Sequence, residues 1–159
     1  MPNWIEGTLK LRGDTKCLQN FFEHGILPCA NYTNRNEFVK CHWGPDNDNQ
    51  VSIWPDAYIE DTKRAFVANG TDIFWNDDYA TVCIPIKQAW GFETGDWLEL
   101  ANKYNLDVKL YGIECGMEFM QEIEIVKLEK TDEARIIVRN TIQHFDDWDW
   151  ECPFPYLGG

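Results

Sequence analysis

Residues able to do chemistry fall into a few groupings in this chain. Glu118, Glu122 and Glu124 recur at even spacing, and on an extended strand Glu122 and Glu124 share a face about 7 Å apart. Two carboxylates at that distance are the arrangement a hydrolase uses as acid and base. A solvated outer face of an antiparallel sheet has the same pattern, and nowhere does a nucleophile stand beside a base, so the solvated face is the stronger reading. His24, Cys29, Cys41 and His42 are the one metal-like set. Zinc ligands come in tighter pairs such as C-x₂₋₄-C, and adjacent residues on an extended chain point to opposite faces. Gly91–Gly95 and Gly112–Gly116 lack the GK[ST] continuation of a phosphate loop and carry Glu where a phosphate would approach. No catalytic residue, metal or cofactor is expected.

The most unusual grouping is Asp146-Asp147-Trp148-Asp149-Trp150-Glu151, four carboxylates interleaved with two indoles. One reading has the tryptophans tucked onto the domain with the acids in water. The other is an interaction strip, because Trp is a hot-spot residue and carboxylates pair with a partner's Arg or Lys. Asp77-Asp78 between Trp75 and Tyr79 repeats the pattern, as does Asp56-Ala57-Tyr58 with Glu60-Asp61. The candidate partner-binding set is therefore the 146–151 run, Asp77, Asp78, Glu118, Glu122 and Glu124.

Charge points the same way. Twenty-seven acidic residues against 14 basic ones give a net charge of −13 over 159 residues. Such a field repels phosphate backbones and anionic lipid and steers the chain towards basic surfaces. Direct nucleic-acid binding and membrane association are thus disfavoured. Six cysteines without a CxxC pair read as mostly reduced thiols of a cytoplasmic protein. The start, MPNWIEGTLKLRGD, has no basic region followed by an apolar stretch, so no secretory leader is expected. No apolar run is long enough to span a bilayer.

Several elements must position these groups. Alternation over Ile5–Leu11 predicts a strand, and Asp14 or Thr15 caps a helix from Lys16 to His24, closed by Gly25. Residues 28–80 read as an irregular insertion, with a short strand at Val51–Trp54 and a helix from Ala57 to Val67. Thr81–Trp90 is a strand whose Pro85 implies an edge or a bulge. A helix follows over Asp96–Tyr104, stopped by Asn105. Leu106–Glu114 and Glu118–Leu128 form a hairpin, Arg135–Ile142 a last strand, and residues 143–159 a tail without regular structure. Two helices on one face of a mostly antiparallel sheet make a single α+β domain.

Met1-Pro2-Asn3-Trp4, the strand ending at Gly13-Asp14, Ala89-Trp90, the helix Trp97–Tyr104, and Tyr111 with Glu114-Cys115-Gly116-Met117-Glu118-Phe119 together resemble the YubB-type ferredoxin-like domain family over about half the chain. Gly91-Phe92-Glu93 stands where that family has a Pro-Pro pair. The resemblance implies a ferredoxin-like α+β sandwich and a home in bacteria, plasmids or phages; it implies no activity. The expected function is therefore a non-enzymatic acidic protein of a phage or mobile element that binds a basic, nucleic-acid-binding host surface. A concrete form is a DNA-mimic inhibitor of a CRISPR or restriction system. The alternatives are a small hydrolase or nucleotide-processing enzyme using the carboxylate face, and a module binding a small ligand on its Trp-rich surface.

Overall fold

Alternation of apolar and polar side chains sets most of the architecture. The computed structural model describes residues 3–29, 34–54, 57–68, 70–128 and 135–145, side chains at 36, 128 and 135 excepted. Strand β1 (Trp4–Asp14) buries Ile5, Leu9 and Leu11 on one face and turns Glu6, Thr8, Lys10 and Arg12 to the other. Helix α1 (Thr15–His24) follows at once and buries Leu18, Phe21 and Phe22. Seven strands come next: β2 (Ile26–Pro28), β3 (Val39–Trp43), β4 (Asn49–Ile53), β5 (Ala57–Ile59), β6 (Ala65–Val67), β7 (Thr71–Trp75) and β8 (Tyr79–Ala89). Helix α2 (Thr94–Tyr104) leads to β9 (Asp107–Glu114), β10 (Phe119–Leu128) and β11 (Arg135–His144).

Eight strands form one sheet in the order β11-β10-β9-β1-β8-β6-β5-β2, and three form a second in the order β3-β4-β7. Every pairing is antiparallel. Both helices lie on the face of the large sheet that carries Leu9, Ile84, Leu110 and Ile123, and they touch through Phe21 and Tyr104, ring centroids 5.3 Å apart. The small sheet turns Val51, Ile53, Ile73 and Trp75 towards α1, and Trp75 stacks against Phe22 at 5.6 Å. Helix α1 is thus enclosed between the sheets, in one contiguous apolar core. Two glutamines supply its polar pins. Gln88 accepts from Trp97 Nε1 at 3.0 Å and donates to the Lys63 carbonyl. Gln121 holds the Phe92 backbone at both its N–H and its C=O.

This architecture corrects the expected fold. The molecule is mostly β, with an eight-stranded and a three-stranded sheet, and is not a ferredoxin-like α+β sandwich. The difference arises largely in residues 28–80, read as an irregular insertion but built mainly of strands β3 to β7. No helix spans Ala57–Val67. Ala57, Ile59, Ala65 and Val67 are buried by strand alternation, and Asp61 (φ 55°) and Arg64 (φ 58°) take left-handed conformations that no helix accommodates. Pro85 is not on a sheet edge, since β8 lies between β1 and β6. Its carbonyl accepts from Ala68 just past the end of β6, so its missing N–H leaves no ladder position empty. The tail run 146–151, and Asp56, lie outside the described residues. Among the described residues no helix is long and apolar enough to cross a membrane.

Candidate functional site

At the α1 end of β1, three chain segments are tied together by their backbones. The Thr15 N–H donates to the Asp78 carbonyl at 2.9 Å, and the Thr15 hydroxyl donates to the Asp77 carbonyl at 2.5 Å. The same hydroxyl accepts from Trp75 Nε1 at 3.2 Å, which fixes the β7–β8 turn against the start of α1. The loop before β4 joins them. Asp46 and Asn47 adopt left-handed conformations there (φ 58° and 59°), Gly44 donates to the Asp48 carbonyl at 2.8 Å, and Asn47 Nδ2 donates to Asp78 Oδ1. Thr15 is thus the expected residue at the helix start, but it is held from outside; Asp14 makes no side-chain cap.

The consequence is chemical. Backbone groups of residues 77 and 78 are used inward, while the carboxylates of Asp14, Asp46, Asp48, Asp77 and Asp78 are all exposed at one end of the molecule. Among the described residues none of the five joins an ion pair. Lys16, exposed on the first turn of α1, adjoins them, as does Arg12, which is paired with Asp107 and also interacts with Tyr79. The positive end of the α1 dipole lowers the cost of gathering negative charge there. Tyr79 stands beside them, 58% exposed, with its ring available to a partner. Trp75, counted with Asp77-Asp78 as an acid–aromatic pattern, is instead a core residue.

The strand carboxylates are arranged differently. Glu122 and Glu124 lie on the open face of β10, where Glu122 meets Lys109 at 2.7 Å and Glu124 meets Arg139 at 3.0 Å. The hydrogen bond to Glu122 holds Lys109 above its usual value. These are cross-strand pairs of a solvated sheet face, each worth less than about 1 kcal/mol. Glu118 is not on that strand. It sits in the β9–β10 turn with φ 53°, and its carbonyl accepts from the Phe145 N–H at 3.0 Å. The structure therefore brings Asp77 and Asp78 together with Asp14, Asp46 and Asp48, and separates them from Glu122 and Glu124.

The metal-like set does not converge at its centre. Cys41 packs against the core while His42 is exposed on the other face of β3, and His24 Nδ1 lies 3.0 Å from the Asn20 carbonyl on its own helix. Burial pushes the Cys41 thiol up to about 11, the opposite of a thiolate ligand or nucleophile. A depression of ≈ 470 Å³ lies over the outer face of the small sheet, lined by Lys40, Cys41, His42, Gln50 and Ser52. Lys40 lies 4.4 Å over the Trp54 ring and Ser52 donates to Asp72, so these groups engage one another.

Sequence reasoning missed Asp14, Asp46 and Asp48 as members of the acidic end. The Gly44-Pro45-Asp46-Asn47-Asp48 run was readable as a turn, but nothing in the sequence shows that it folds against Asp78. It also missed Trp90, which is 67% exposed with φ 70°, a strained conformation for a bulky residue, next to Asn3, whose carbonyl accepts the Trp90 N–H. Comparison of the chain with protein-family models, with curated proteins and with solved structures returned no match.

Proposed function

We propose that this chain is a non-catalytic interaction protein that docks its acidic end onto a basic, nucleic-acid-binding surface of another protein. The observation that supports this is the cluster of five exposed carboxylates drawn from three segments, none of them ion-paired among the described residues, on a chain of net charge −13. Six acids elsewhere among the described residues do meet cations: Asp107 with Arg12, Glu93 with Lys63, Glu60 and Asp61 with Lys103, Glu122 with Lys109 and Glu124 with Arg139. Aspartates fixed on two turns and a strand end present negative charge at defined positions, as phosphates do, and Tyr79 adds an aromatic contact of the kind that anchors interfaces.

The reading is tested by affinity capture from a bacterial lysate with the wild-type chain and with Asp77→Lys/Asp78→Lys. The wild-type chain is expected to retain a basic partner at low salt, to lose it at high salt, and to lose it to competing duplex DNA. The variant is expected to capture at least tenfold less. Equal capture by both chains, or capture indifferent to salt and DNA, contradicts the proposal.

A further inference from the structure

Among the described residues, strand β11 is the longest edge strand. The other edge of the large sheet, β2, is three residues long and ends in Pro28, and the small sheet's outer strands are five residues each. β11 runs for ten residues, pairs with β10 along one flank, and lies at the end of the described sheet on the other. Natural edge strands are blunted by Pro, Lys or inward-pointing charge. Residues 135–145, RIIVRNTIQHF, contain no Pro, no Lys and no carboxylate, on a chain that is otherwise strongly acidic.

The two helices leave most of this strand uncovered, α2 reaching it through Thr94. On the face they cover, β10 buries Gln121, Ile123 and Ile125, but the next strand leaves Ile136, Val138 and Ile142 exposed at 42%, 41% and 53%. Asn140 between them is anchored, accepting from Gln121 and donating to Thr94. Among the described residues this apolar row has no cover and the outer ladder of β11 no partner, and an occupant would supply both.

We infer that the occupant is a second copy of this chain, paired antiparallel through β11 about a two-fold axis between the two Asn140 residues. That register sets Val138 opposite the partner's Ile142 and Ile142 opposite the partner's Val138, with both helix-bearing faces on the same side. The apolar row of each copy then meets the other. Arg139 falls opposite Thr141, whereas a register one step over, centred on residue 139, would set the two Arg139 guanidinium groups against each other. The absence of carboxylates on β11 makes it a stretch where two chains of charge −13 approach with little local repulsion. Backbone pairing of this kind is strand addition between identical edges.

Sedimentation equilibrium of the full chain, up to about 100 µM, tests this. The wild-type chain is expected to dimerise, more tightly as salt screens its net charge. Val138→Lys/Ile142→Lys, with both changes at exposed positions, is expected to stay folded by circular dichroism and to weaken the dimer at least tenfold. Asn140→Cys is expected to link to itself across the axis on oxidation, located by the joined peptide, since opposed residues of an antiparallel pair come within disulfide reach. A monomeric wild-type chain at every concentration, or a dimer indifferent to the two lysines, overturns the proposal. A lysine-sensitive dimer in which residue 140 does not link to itself overturns the register.

Discussion

Arg35 and Cys41 show how single residues hold the small sheet to α1. The Arg35 guanidinium donates to the Phe22 carbonyl in the last turn of α1 and to the Ile26 carbonyl at the start of β2, and lies 5.3 Å over the Phe38 ring. Burial lowers its pKa from the usual guanidinium range. Cys41 sits nearby, its thiol pushed by burial from an ordinary 9.0 up to about 11. The sign of the pH effect follows. As pH rises through 9, the unfolded chain releases this proton while the folded chain keeps it until about 11. Stability owed to the neutral thiol is therefore complete below pH 9 and lost between pH 9 and 11. Urea midpoints of the wild-type chain are expected to fall faster over that interval than those of Cys41→Ala; parallel slopes would remove the assignment. In the same pH range Cys83, exposed on β8, is expected to alkylate ahead of Cys41. In the sequence Cys41 belonged to a metal-like set that its spacing already argued against; which face of β3 the thiol occupies could not be read there.

At the scale of elements, β1 is the strand on which the large sheet is registered. It pairs with β8 along its whole length and with β9 from Ile5 to Arg12. Gly7 and Gly112 stand opposite each other in that ladder. A Cβ at Gly7 would lie 1.9 Å from the Tyr111 carbonyl oxygen and 2.6 Å from the Gly112 Cα, both backbone atoms that cannot step aside. Gly7→Ala is expected to cost about 1–3 kcal/mol or more, read as a lower urea midpoint with an unchanged slope. A loss below about 0.5 kcal/mol, the range of ordinary surface changes, would contradict the register. β1, β8 and the β9–β10 hairpin were readable because their alternation runs for eight residues or more with one face wholly buried. The short strands β2, β5 and β6 were not. Three residues carry no periodicity, and these strands exist only because partners distant in sequence complete their ladders, as Ala65–Val67 does against Ile86–Gln88. With these strands and β3 and β7 unread, a mostly-β molecule was expected to be an α+β sandwich, which the family resemblance made ferredoxin-like.

For the whole molecule, charge was legible in the composition, but its placement was not. Net charge alone could not show which acidic runs share a surface. The structure separates those runs: Glu122 and Glu124 are matched by Lys109 and Arg139 on neighbouring strands, while Asp14, Asp46, Asp48, Asp77 and Asp78 meet at one end because Thr15 and Asn47 tie their loops together. The functional weight given to the strand glutamates accordingly moves to the turn aspartates. On the proposed reading these carboxylates occupy a partner's phosphate-binding surface. The most direct measurement is the nucleic-acid affinity of the captured partner, followed by fluorescence anisotropy as this chain is added. Wild-type chain is expected to displace the nucleic acid in a salt-sensitive way, and Asp46→Asn/Asp48→Asn/Asp77→Asn/Asp78→Asn at least tenfold less effectively. Unchanged nucleic-acid binding, or equal displacement by the variant, would contradict the claim.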